Sequence, residues 1–198
     1  MLPYISDMAV LPPESSWFSF FLNIGSFIVT IFVYLRYNIQ QSHDPLSLIS
    51  NLNFKSMISG GFFAFGWLLV ANFRFTESLI IHTIGAAVVF TSGTIDAAYQ
   101  SIIAHKLNHL KFTLIRCLIS IGILLGFTFS IVFTVLAAQK AGKEKFADFR
   151  FRLKWPNNEP GFQYYVISVL GEWFAVSMFV IYFLTFTSQF KKSEIKNH

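Results

Sequence analysis

Between Arg116 and Lys140 the chain reads CLISIGILLGFTFSIVFTVLAAQ, without a single charged side chain. A helix needs about 20 apolar residues to cross a ~30 Å hydrocarbon core, and this stretch supplies them. Working outward, the same silence separates Glu14 from Arg36, Lys55 from Arg74 and Glu77 from Asp96. Each gap is roughly 18 to 23 residues long, again the span of a bilayer. A fifth tract, residues 162–190, is long enough to cross and is interrupted once, by Glu172.

Composition agrees. Apolar residues make up 54% of the 198, with 25 Phe, whereas charged residues reach only 13%, about half the share of a soluble domain. Five all-apolar segments in so short a chain leave nothing to cover them in water. Membrane-spanning β-strands would alternate polar and apolar residues; residues 119–125 and 174–184 do not. The expected fold is therefore all-α: one polytopic transmembrane domain over residues 1–198, with spans at 17–35, 56–73, 79–103, 112–138 and 162–190. Residues 36–55 read as a polar linker, and residues 139–161 as a charged loop.

Residues 1–16 lack the basic-then-apolar order of a cleavable signal peptide. The lone Cys117 excludes an intrachain disulfide framework. An odd number of spans puts the termini on opposite sides. With the N-terminus outside, the inner face holds Arg36, Lys55, Lys106, Lys111, Arg116, Lys191, Lys192 and Lys196. The outer face then holds Arg74 and the six basic residues of the long loop, largely offset by Asp7, Glu14, Glu77, Glu144, Asp148 and Glu159. This favours N-terminus out and C-terminus in. Trp17, Tyr34, Tyr37, Tyr164 and Tyr165 sit near span ends, where interfacial anchors belong.

Ionisable residues inside spans are the candidate sites. Glu172 lies ten residues into its helix, roughly 15 Å deep at 1.5 Å per residue. It is a proton or cation site, a polar anchor, or a neutral acid bonded to a neighbouring helix. Asp96 and Arg116 lie on helices joined by the short turn around Asn108, and a structural ion pair between them is expected. His82, beside Gly85 and Ala86, is a potential buried partner for Glu172. His105 and His109 have the i, i+4 spacing of a metal-binding face, but no third ligand accompanies them, and a solvated turn is the simpler reading. Gly122 and Gly126 form a GxxxG pattern that permits close helix approach, by default within the chain. No phosphate loop, nucleophile elbow or cysteine metal site is present in the sequence, so it points to no enzyme, cofactor or metal. The basic loop, with acidic residues interspersed, suits lipid headgroups or solvent rather than nucleic acid.

Further motifs carry a resemblance. Pro3-Tyr4-Ile5-Ser6-Asp7, Pro13-Glu14, Leu22-Asn23-Ile24, Tyr34-Leu35-Arg36-Tyr37, Val70-Ala71-Asn72-Phe73, His82, Gly85-Ala86, Gln100, Leu153-Lys154-Trp155, Glu172-Trp173, Phe183-Leu184-Thr185 and Gln189-Phe190-Lys191 follow in order. The whole chain thereby resembles the DRAM family of DNA-damage-regulated autophagy modulators, within the DRAM/Sfk/FRAG superfamily. The resemblance implies a multi-pass lysosomal or endomembrane protein that modulates autophagy without catalysis. It places the Pro-Tyr-Ile-Ser-Asp segment in the lumen and the C-terminus in the cytosol. Membrane lipids and proteins of the autophagy machinery are the implied partners. It also implies six spans, one of them ahead of Pro3, and an uncharged residue where Asp96 stands. Other branches imply organisers of a plasma-membrane phosphoinositide kinase or factors in GPI-lipid remodelling. An ion or proton transport subunit is the alternative that Glu172 raises.

Overall fold

The computed structural model describes residues 2–42, 44, 46–187 and 190. Its helices are α1 (Ile5–Met8), α2 (Glu14–Ser42), α3 (Ser50–Asn72), α4 (Leu79–Lys106), α5 (Leu110–Ala141), α6 (Lys143–Ala147), α7 (Phe149–Leu153) and α8 (Phe162–Leu184). Five of them, α2, α3, α4, α5 and α8, are long and apolar enough to cross a membrane, as the charge-free gaps require. They form an up-and-down series in which α2 packs on α3, α3 on α4, α4 on α5 and α5 on α8.

The spans run longer than their apolar cores. In α2 the helix continues past Leu35 to Ser42, and α3 begins at Ser50, so most of the expected linker 36–55 is helical. Twenty-nine residues give α2 a length of roughly 44 Å, and its last turns carry Arg36 and Gln40 against neighbouring helices. Hydropathy stops at the first charge, but the backbone hydrogen-bond ladder has no reason to stop there. The loop 139–161 likewise contains α6 and α7. The last span closes at Leu184. Of the residues expected beyond it, Gln189, Lys191, Lys192 and Lys196 lie outside the described residues.

Polarity is inverted relative to a soluble bundle. Phe20, Phe27, Leu114, Leu124, Leu170 and Val180 are exposed, whereas Arg36, Asp96, Gln100 and Arg116 are buried. In lipid there is no hydrophobic gain in bringing apolar helices together, so close packing and interhelical hydrogen bonds must hold the helices. Serines supply the bonds. Ser26 Oγ of α2 donates to the Ala64 carbonyl of α3 (2.7 Å), and Ser59 Oγ of α3 donates to Ser92 of α4 (2.7 Å). Between α4 and α5, Ser120 donates to Thr94 (3.1 Å) and Ser101 to Thr113 (2.8 Å). The α5–α8 seam relies on small residues instead. A Cβ on Gly171 would stand 2.7 Å from the Gly126 carbonyl oxygen, so both positions need glycine for the two backbones to touch. Gly122 faces Met178 on the same seam, and the GxxxG pattern therefore serves packing within the chain.

The long loop is not simply solvated. Arg152 is buried, and Trp155 stacks on Tyr165 with ring centroids 4.7 Å apart. Tyr165 is accordingly a core residue rather than an interfacial anchor, while Trp17 and Tyr34 are exposed as anchors should be.

Candidate functional site beneath the N-terminal cap

The segment preceding α2 folds down onto the bundle. Its polar groups are taken up by partners on the bundle. Glu172 Oε2 accepts from the Ile5 backbone N–H (3.0 Å), and Trp173 Nε1 donates to the Pro3 carbonyl (3.0 Å). The Tyr4 hydroxyl reaches Thr134 (2.8 Å) on α5 and Ser168 on α8. Arg152 of α7 grips Asp7 with two hydrogen bonds, Nε to Oδ2 at 2.8 Å and Nη2 to Oδ1 at 2.6 Å. Both side chains are buried, and Phe75 and Phe146 lie under the guanidinium. From α3's end, the Arg74 guanidinium donates to the Val10 carbonyl (3.2 Å). Residues 3–10 thus form a cap tied to α5, α7, α8 and the α3–α4 turn.

Under this cap lie two cavities, each of about 210 Å³, that share Ser6, His82, Ala86, Phe90 and Glu172 in their walls. The structure brings Glu172 and His82 to the same space without bonding them to each other. His82 Nδ1 instead meets the Phe73 carbonyl (2.8 Å). A carbonyl only accepts, so Nδ1 carries the proton, and in the neutral ring Nε2 is an acceptor. Glu172 has one oxygen on Ile5; its Oε1 has no hydrogen bond among the described residues. Below, Phe63, Phe90 and Phe179 fill the bundle with centroids 4.8 and 5.8 Å from Phe179.

A second polar centre lies toward the far end. Asp96 pairs with Arg36, not with Arg116: Arg36 Nη2 donates to Oδ1 (2.7 Å) and Nη1 to Oδ2 (2.8 Å). The Tyr182 hydroxyl donates to Oδ2 (2.7 Å), and Ser56 Oγ donates to Oδ1. Gln100 and Gln40 extend the network by one turn (2.6 Å). The four helices α2, α3, α4 and α8 meet on one carboxylate. Arg116 stacks on Phe186, 3.8 Å from the ring centroid, and donates to Thr185 Oγ1 (3.1 Å). The turn around Asn108 does bring α4 and α5 together, but α2 reaches Asp96 first because it continues beyond Leu35.

Sequence reasoning missed Arg36, Ser56, Tyr182, Asp7 and Arg152 as structural polar residues. One signal was present: Arg36 and Gln40, like Asp96 and Gln100, are four apart, so each pair lies on one helix face. The charges Asp7 and Arg152 gave none, because a fold-back of the first residues is a long-range event.

Comparison with known proteins places this architecture. The description Frag1/DRAM/Sfk1/Cwh43P N-terminal domain matches residues 1–193. Human DNA damage-regulated autophagy modulator protein 1 is 30% identical over 98% of this chain and 80% of its own length. The rat DNA damage-regulated autophagy modulator protein 2 is 27% identical, over 98% and 74%. Transmembrane protein 150A of Xenopus laevis is 36% identical over 54% of this chain and 38% of its own. No solved structure matches. The chain belongs to the Frag1/DRAM/Sfk1 family of integral membrane proteins.

Proposed function

We propose that this protein resides in lysosomal or related endomembranes and modulates autophagy without catalysing a reaction. Its cap and long loop face the lumen, and the far end of α8 points to the cytosol. The carrying observation is the similarity across 98% of the chain to proteins named as autophagy modulators. The geometry supports a non-catalytic role. The buried charges Asp7, Arg36, Asp96 and Arg152 are taken up in two ion pairs that hold helices and loops together. The apolar flanks, with Phe20, Phe27 and Leu124 exposed, make membrane lipid the immediate partner. Proteins of the autophagy machinery are the further partners in this reading. In the sequence the Arg36 end holds eight basic residues, with Lys191, Lys192 and Lys196 included, against seven at the other end that acidic neighbours largely offset, and this supports its cytosolic placement.

The test is the location and orientation of the full chain carrying a tag at each terminus. Lysosomal co-localisation, with the N-terminal tag protected from added protease in intact vesicles and the C-terminal tag cleaved, is the expected result. A plasma-membrane location, or the reverse protection pattern, overturns the proposal.

A further inference from the structure

The cavity under the cap that is bounded by α2 and α8 has a polar end and an opening on the bilayer. Its polar end is made by Glu172, His82 and Ser6, roofed by Ile5. Its apolar side runs between Phe18 and Leu22 of α2 and Val176, Val180 and Phe183 of α8. Val180 is 57% exposed, so this wall reaches the lipid-facing surface. The two helices close on each other only further along, where Phe32 meets Phe183 (5.1 Å) and Phe186 (5.3 Å). Above that aromatic clasp the cavity lies between them, a slot walled by Phe18 and Leu22 on one side and Val176 and Val180 on the other.

We propose that this cavity binds a single-chain amphiphile with a protonated amine head, of the long-chain base class, admitted sideways between α2 and α8. The head follows from the hydrogen-bond inventory. An ionised Glu172 Oε1 and a neutral His82 Nε2 both accept, so a donating head suits this end, and an ammonium offers three donors and the charge that complements a carboxylate. A hard divalent cation is a poorer fit, since it takes six or more oxygen ligands and this wall is otherwise mostly apolar. The tail follows from shape. A dry apolar cavity of roughly 150 Å³ accommodates benzene. The 210 Å³ here therefore takes the head and the first carbons, and the rest of one chain lies along the slot. Continuation toward the far end is blocked by Phe63, Phe90 and Phe179, which makes a lateral site, not a conduit.

The test uses the purified full chain in phosphatidylcholine vesicles with a photoactivatable, clickable sphingosine as probe. Matched fatty-acid, fatty-alcohol and ceramide probes run alongside. Sphingosine is expected to label residues 14–24 and 173–184, to be competed by unlabelled sphingosine, and to exceed each matched probe at least tenfold. Glu172→Gln is expected to cut labelling at least tenfold while keeping an acceptor for Ile5. Val180→Trp, on the lipid-facing rim, is expected to do the same by obstructing the slot with the polar end intact. If Glu172→Gln fails to fold, Val180→Trp decides alone. Equal labelling by fatty acid, alcohol or ceramide overturns the proposal, as does labelling indifferent to Val180→Trp. The readout is on isolated protein, so it stands or falls independently of any role in autophagy.

Discussion

Arg36 and Asp96 are sixty positions apart in the chain and 2.7 Å apart in the bundle. One turn on, Gln40 and Gln100 repeat the same offset at 2.6 Å. Helices α2 and α4 are thus held in parallel register by two successive polar rungs, with α3 lying antiparallel between them and contributing Ser56 to both. In a membrane, where apolar surface does not choose a partner, such rungs fix which helix faces which.

Removing one member of that pair should cost far more than removing both. Asp96→Ala leaves the Arg36 guanidinium buried without its carboxylate, a loss of about 3–5 kcal/mol. The double variant Arg36→Met, Asp96→Leu should recover most of it, because no charge is stranded. Thermal unfolding in detergent checks this; equal destabilisation by single and double variants would contradict it.

The cap should be released by one substitution. Asp7→Asn weakens the only carboxylate partner of Arg152 among the described ion pairs. Faster amide hydrogen exchange is expected in residues 4–10, with the five spans unchanged, at a cost of about 3 kcal/mol. Unaltered exchange in that segment would show that the ion pair does not hold the cap.

Two glycines should respond in opposite ways. Gly171→Val places side-chain atoms against the Gly126 carbonyl oxygen and the Ser130 nitrogen and should force α5 and α8 apart, with loss of a monodisperse folded species. Nothing lies within 4 Å of a Cβ on Gly61. There Gly61→Ala should be neutral or stabilising, by about 0.5–1 kcal/mol from reduced backbone entropy. A destabilised Gly61→Ala would mean that this face is covered.

Burial pushes the Tyr4 hydroxyl up from 10.0 to about 12, against the lowering effect of its bonds to Ser168 and Thr134. The folded protein therefore keeps the proton where the unfolded chain has lost it. Tyr4's contribution is complete below pH 10 and declines as pH rises toward 12. Stability measured across that interval should fall less steeply in Tyr4→Phe; an identical slope would remove Tyr4 from the account.

How much of this was legible depends on the range of the interaction. The spans were written locally, because a helix in lipid must be continuously apolar over about 20 residues. Their ends were not: Arg36 looks like a terminus by hydropathy, yet four helices supply the partners that let it lie inside. Glu172 and His82 stand out in the sequence as intramembrane polar residues, and the structure brings them to one cavity. What no local pattern carries is the descent of residues 3–10 onto that cavity, which rests on Asp7 meeting Arg152 from 145 positions away. The expected Asp96–Arg116 pair failed for a related reason: adjacency of α4 and α5 was sound, but competition from a longer α2 decided the partner.

A role in autophagy is tested most directly by autophagic flux. Cells lacking the protein should show slowed turnover of a lysosome-delivered reporter, restored by the full chain and not by Asp7→Asn if the cap is needed for activity. Unchanged flux on loss of the protein, in cells where the tagged chain is expressed and folded, would contradict the account.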